Sequence, residues 1–262
     1  MIPPTSIDGT DITGATIDGT DVQEITVDGD VVFTAGQTLP VAFSNLVAWY
    51  PFDSAEYGGS NADDVTAIIG GSGDDTAYDG TVNGATYLST GGKTDINAGS
   101  NSGAFDFQNG DGIINTGLTR FNGSTSNDFT VVGWIFPTSY STGDNVIIGI
   151  ESEWFITIDE AAGDSLRTSI FGDNNAGRSP AIPINQWLHF AVYWDPGTEI
   201  KTYFDGQLVD TYSSTVTSSG SNELRIGDST VGFFTGKIED IRIYDGELSQ
   251  PQIESIYDNT EA

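Results

Sequence analysis

Apolar and polar residues alternate over short runs in most of this chain, and clusters of Gly, Asp, Ser and Pro separate the runs. Period-two alternation places successive side chains on opposite faces, so each run predicts a half-buried strand and not a helix. From Leu188 to Trp194 one face carries Leu188, Phe190, Val192 and Trp194, and the other carries His189, Ala191 and Tyr193. The next run, Lys201–Phe204, breaks at Asp205-Gly206, a dipeptide suited to the positive φ of a tight hairpin, and Gln207-Leu208-Val209 returns. Leu224–Gly227 and Gly236–Tyr244 repeat the alternation with their basic residues outward. Runs of this kind, at intervals of about 8–12 residues, predict an all-β fold: a two-sheet antiparallel sandwich.

Two segments follow other rules. Within residues 1–43, Ile7-Asp8-Gly9-Thr10, Ile17-Asp18-Gly19-Thr20 and Val27-Asp28-Gly29-Asp30 recur in step, an internal repeat of strand plus Asp-Gly turn. Glu24 to Phe33 predicts a two-stranded hairpin whose apolar residues are Ile25, Val27, Val31 and Phe33. So short a hairpin is marginal alone in water and gains order by adding its edges to a neighbour, in the same subunit or another. This predicts an N-terminal β-hairpin arm over 1–43 and a sandwich domain over 44–262. At the far end, Ser249 predicts the N-cap of one short helix over Pro251–Tyr257, with Ile253 and Ile256 on its buried face. Ser54–Tyr78, rich in Gly, Asp, Ser and Ala, predicts a long loop.

Composition narrows the chemistry. With 38 acidic against 8 basic residues, the net charge of −30 opposes nucleic acid binding, which needs a basic face. Self-repulsion on that scale is screened at ~1 M salt, where the Debye length is about 3 Å, so the composition predicts a halophilic source. The chain has no Cys and one His, which removes a disulfide framework and makes a zinc site a poor fit. No apolar run reaches the roughly 18 residues of a membrane span, and Met1-Ile2-Pro3-Pro4 has neither a basic nor an apolar region. The expectation is therefore no membrane insertion and no secretion signal.

Ordered motifs add a resemblance. Trp187-x-His189-x-Ala191-x-x-Trp194-Asp195 is followed by Tyr203-x-Asp205-Gly206-x-Leu208-Val209 and then Leu224-x-Ile226-Gly227-Asp228. Phe234-x-Gly236-x-Ile238-x-Asp240-x-Arg242-Ile243-Tyr244-Asp245-x-x-Leu248-Ser249 closes the series. Upstream stand Leu46–Asp53, Asp79–Tyr87, Gly103–Phe107 and Phe129–Ile135. This order, from Ser44 to Tyr257, resembles the laminin G-like branch of the concanavalin A-like lectin/glucanase jelly rolls.

The resemblance implies sites residue by residue. Related sandwiches often hold a structural Ca2+ where the opening strand meets the closing one, which implies Asp53, Glu239 and Asp240 as ligands. Glycosidases on this fold carry Glu-x-Asp-x-x-Glu, which is absent here, so no catalytic residue is expected. The single His189 is expected to be structural, hydrogen-bonded inside the sandwich. Sugar binding uses exposed aromatic faces; Trp49, Trp134, Trp187 and Trp194 lie in alternating runs and predict core, leaving Tyr140 and Trp154 as ligand-binding candidates. The arm resembles the attachment segments of tailed-virus structural proteins. Together these imply a non-enzymatic, lectin-like protein of a halophilic virion surface, a homo-oligomer joined to other capsid or tail proteins through the arm and facing host cell-surface glycans. The alternatives are a divergent glycoside hydrolase or an extracellular cellular carbohydrate-binding module on the same fold.

Overall fold

The computed structural model describes residues 16–17, 20–21, 24–27, 30–34, 45–52, 61–62, 79–93, 103–108, 110–115, 118, 121, 128–170, 178–214, 217 and 222–260. The arm contributes β1 (Thr16–Ile17), β2 (Thr20–Asp21), β3 (Glu24–Val27) and β4 (Asp30–Thr34). The sandwich begins with β5 (Leu46–Tyr50), β6 (Asn61–Ala62), β7 (Gly80–Asn83), β8 (Thr86–Leu88), β9 (Ala104–Phe107) and β10 (Gly112–Asn115). It continues with β11 (Phe129–Pro137), β12 (Asp144–Ile150), β13 (Trp154–Asp159), β14 (Ser165–Ile170) and β15 (Leu188–Asp195). Then come β16 (Glu199–Phe204), β17 (Gln207–Ser213), β18 (Leu224–Ile226), β19 (Gly236–Asp245) and helix α1 (Gln250–Thr260).

Two sheets face each other. One runs β17-β16-β15-β11-β19-β9-β8, with β5 also paired to β19; the other runs β14-β13-β12-β18-β10-β7-β6. Every strand ladder within them is antiparallel, as a jelly-roll sandwich requires. Their inner faces interdigitate through one aromatic and branched core that includes Phe105, Phe107, Phe129, Ile148, Ile156, Phe190, Trp194 and Ile241. Edge-on ring contacts such as Phe52–Phe105 and Phe129–Trp194 fix the rings within it. The Asp205-Gly206 turn has φ of 47° and 77°, the left-handed pair that a tight hairpin needs.

Helix α1 lies on the outer face of the eight-stranded sheet, where Ile253, Ile256 and Leu248 pack with Trp49, Val132, Ala191 and Tyr244. Ser249 caps it as expected: Gln252 Oε1 accepts from both the Ser249 N–H and its hydroxyl, and Ser249 O receives the Gln252 and Ile253 N–H groups. In the arm, β3 and β4 pair with Ile25 opposite Phe33, Thr26 opposite Val31 and Val27 opposite Asp30. Among the described residues neither arm hairpin pairs with a sandwich strand.

β12 is the strand that alternation does not announce. Val146, Ile147, Ile148 and Ile150 are all fully buried, so both faces are apolar and the run carries no period.

Candidate functional site

The outer face of the eight-stranded sheet has a part that α1 leaves uncovered. There Phe136 on β11 lies opposite Lys237 on β19, Lys237 opposite Asp106 on β9, and Asp106 opposite Thr86 on β8, one continuous row across four strands. Trp187, the residue before β15, extends the row, its ring centre 5.4 Å from that of Phe136. Lys237 Nζ stands 5.4 Å from the Phe136 ring centre and donates to Gly91 O at 2.9 Å. Trp187, Phe136, Lys237 and Asp106 are all partly exposed, and Ile184, three residues before Trp187 in the chain, is 44% exposed. Gln108 Nε2 donates to both Asp106 oxygens at 3.2 Å and draws that carboxylate toward itself.

Local backbone features hold the shelf in place. Asn185 adopts φ 60° and its N–H donates to Pro137 O at 2.7 Å, which pins the turn that delivers Trp187 to the end of β11. Gly236 has φ 141°, and a Cβ there would sit 2.2 Å from Phe136 O, so only glycine lets β19 approach β11 at this point.

Of the five tryptophans, Trp49, Trp134, Trp154 and Trp194 are buried and Trp187 is partly exposed. This reverses the expectation for two of them. Trp154 is 1% exposed, packed against Phe129 and Trp194 in the core, with its indole N–H donated to Phe121 O at 2.6 Å; it offers no face to a ligand. Trp187, expected in the core, is the ring that reaches solvent. Tyr140 is partly buried against the core, and its hydroxyl donates to Ile182 O at 2.7 Å. Burial and the nearby Asp164 push its phenol above the ordinary range.

Of the three implied calcium ligands, two are described, and both are engaged within the protein. Asp240 is 1% exposed and its carboxylate is already occupied: Trp49 Nε1 donates to Oδ1 at 2.6 Å, and Arg242 donates to both oxygens at 2.9 Å. A cation could use Asp240 only by displacing a buried guanidinium, which carries a cost of several kcal/mol. Glu239, also buried, accepts the Lys93 N–H, and Asp53 lies outside the described residues. Among the described residues no group of three or more His, Asp or Glu side chains converges as a metal site.

His189 is fully buried between Trp134 and Tyr257, with ring centres at 5.2 and 5.6 Å. Contrary to expectation, neither of its nitrogens has a hydrogen-bond partner among the described residues. Burial, with the nearby Arg242 guanidinium, lowers its pKa to about 3. On the opposite sheet, Asp144 and Asp159 share one outer face, and Arg167 ion-pairs with both. One oxygen of each carboxylate, Asp144 Oδ1 and Asp159 Oδ2, is thereby held by the guanidinium.

Across these two layers, a laminin G family model described as the concanavalin A-like lectin/glucanases superfamily matches residues 108–254. The chain belongs to this superfamily. Among solved structures, a Trypanosoma rangeli sialidase in complex with sialic acid is similar at TM-score 0.59 and 14% identity, over 90% of this chain and 35% of the other. Domain 4 of AbnA, an extracellular GH43 arabinanase of Geobacillus stearothermophilus in complex with arabinotriose, is similar at TM-score 0.54 and 21% identity. That alignment covers 81% of this chain and 98% of the domain. The receptor binding domain of botulinum neurotoxin type G is similar at TM-score 0.54 and 16% identity, over 82% and 51% of the two chains. This superfamily member spans about a third of the length of the sialidase chains it matches. At these identities the likeness concerns the fold. A comparison with curated protein sequences gives no match.

Proposed function

We propose that the sandwich is a non-catalytic carbohydrate-recognition domain that stacks a saccharide on the shelf formed by Trp187 and Phe136. The observation that carries this reading is the exposure of Trp187: it is the one tryptophan not buried, and it stands with a second aromatic ring, Lys237, Asp106 and Thr86 in one row. An apolar sugar face packs on such rings while its hydroxyls meet the flanking polar groups. The arabinotriose complex of AbnA domain 4 and the similarity to a neurotoxin receptor binding domain support recognition as a use of this architecture.

In this reading residues 1–43 form an attachment arm, with β3 and β4 supplying the pairing edges, and residues 44–262 form the outward-facing domain of a homo-oligomer on a halophilic virion surface. The acidic composition and the in-step Asp-Gly repeats support that placement. The ion-paired state of Asp144 and Asp159 supports adhesion over hydrolysis. The test is binding to immobilised glycans and to host surface glycoprotein at high salt, comparing the wild type with Trp187→Ala. Loss of the bound signal in the variant supports the reading; equal binding by both proteins, or release of a sugar product, overturns it.

A further inference from the structure

Cations are scarce here, and their placement is selective. Arg167 pairs with Asp144 and Asp159, Arg178 with Asp159, Lys201 with Glu199 and Glu247, Arg225 with Glu223 and Asp228, and Arg242 with Asp240. Lys237 is different: among the described residues its ammonium makes no ion pair, although the chain has 38 carboxylate side chains. Its nearest row neighbour, Asp106, is engaged by Gln108 instead. Gly91 O and the face of Phe136 orient the ammonium, and neither neutralises it. A cation with no carboxylate partner among the described residues therefore sits on the aromatic shelf itself, next to the ring that Trp187 touches.

We propose that this shelf takes an anionic saccharide, a uronic or sulfated sugar, whose charged group meets Lys237 Nζ while its ring stacks on Trp187. The inference rests on the saccharide reading above and adds the ligand's charge. A neutral sugar would leave the ammonium without a counter-charge, whereas a carboxylate or sulfate gains a charge-assisted hydrogen bond there. An anion approaching the acidic exterior meets long-range repulsion that salt screens, so contact at Lys237 decides the preference at short range.

The experiment is a panel of immobilised glycans built from matched neutral, carboxylated and sulfated members, probed at high salt with the wild type, Lys237→Gln, Lys237→Arg and Trp187→Ala. The expected result is a wild-type preference for acidic members that Lys237→Gln reduces by about tenfold, with neutral members unaffected and Lys237→Arg retaining the preference. Separate carboxylated and sulfated arms identify the anion. If the wild type favours neutral members, or Lys237→Gln keeps the acidic preference, the anionic ligand is wrong and saccharide binding stands. If the wild type binds no member, or Trp187→Ala binds as the wild type does, the saccharide reading falls and the anionic ligand with it.

Discussion

The Arg242 guanidinium lies 4.8 Å from the centre of the Trp49 ring, and the indole N–H of that same ring donates to the carboxylate that Arg242 grips. Three strands meet at this cluster: Arg242 on β19 is opposite Val132 on β11 and Trp49 on β5. Asp240, at φ 53°, is the bulged residue of β19, placed where the neighbouring strand changes from β9 to β5.

Breaking this pair from one side leaves the other charge buried and alone. Asp240→Ala is expected to destabilise by about 3–5 kcal/mol in denaturant unfolding, whereas Asp240→Leu with Arg242→Met recovers most of that loss. The indole N–H of Trp49 loses its acceptor in both proteins, so a residual cost of about 1–3 kcal/mol remains in the double variant. A single variant as stable as the wild type would contradict the assignment.

His189 makes stability depend on acidity in a direction that follows from its pKa. The unfolded chain takes up a proton near pH 6.5 and the folded chain only near 3, so protonation favours unfolding. The contribution is complete above about pH 6.5 and is lost as pH falls through 3, by about 3 kcal/mol at pH 4. His189→Phe should be at least as stable as the wild type at pH 7, because no hydrogen bond among the described residues is lost, and should show a shallower decline between pH 6.5 and 4. Parallel pH profiles would contradict this.

Gly236→Ala tests how the shelf is held. The new Cβ would lie 2.2 Å from Phe136 O at a φ of 141°, so β11 and β19 must separate beneath Phe136 and Lys237. The expected cost is about 1–3 kcal/mol in stability, together with weakened glycan binding. A stable variant that binds normally would show that the close approach is unnecessary.

Salt should stabilise the whole chain. With a net charge of −30, the melting temperature is expected to climb from 0.1 M to 1 M NaCl as the Debye length falls from about 10 to about 3 Å. A melting temperature that is flat or falling with salt would remove the halophilic part of the account.

Much of the architecture was legible because alternation is a physical consequence of half-buried strands; β15, β16, β19 and the Asp205-Gly206 turn follow directly from it. The shelf was not, for reasons that particular residues explain. Trp187 continues the alternation of β15 on the outer face, in step with His189 and Ala191, yet it precedes the strand and is not among the residues that pack with α1. Trp154 begins a strand beside a turn and looks terminal, but β13 is central enough to be buried throughout. Alternation also fails at Asp240: Ile238, Ile241 and Ile243 all face the core, a spacing of three and then two that marks the bulge. Strict alternation would have sent Ile238 and Ile241 to opposite faces.

Indole resonances give the most direct test of the shelf. The five tryptophans supply five indole N–H signals, one of which vanishes in Trp187→Phe and is thereby assigned. On titration with a saccharide that the wild type binds, this signal is expected to shift while those of Trp49, Trp134, Trp154 and Trp194 stay within their free-state positions. Saturable binding that moves any of those four and leaves the Trp187 signal in place would contradict the central claim.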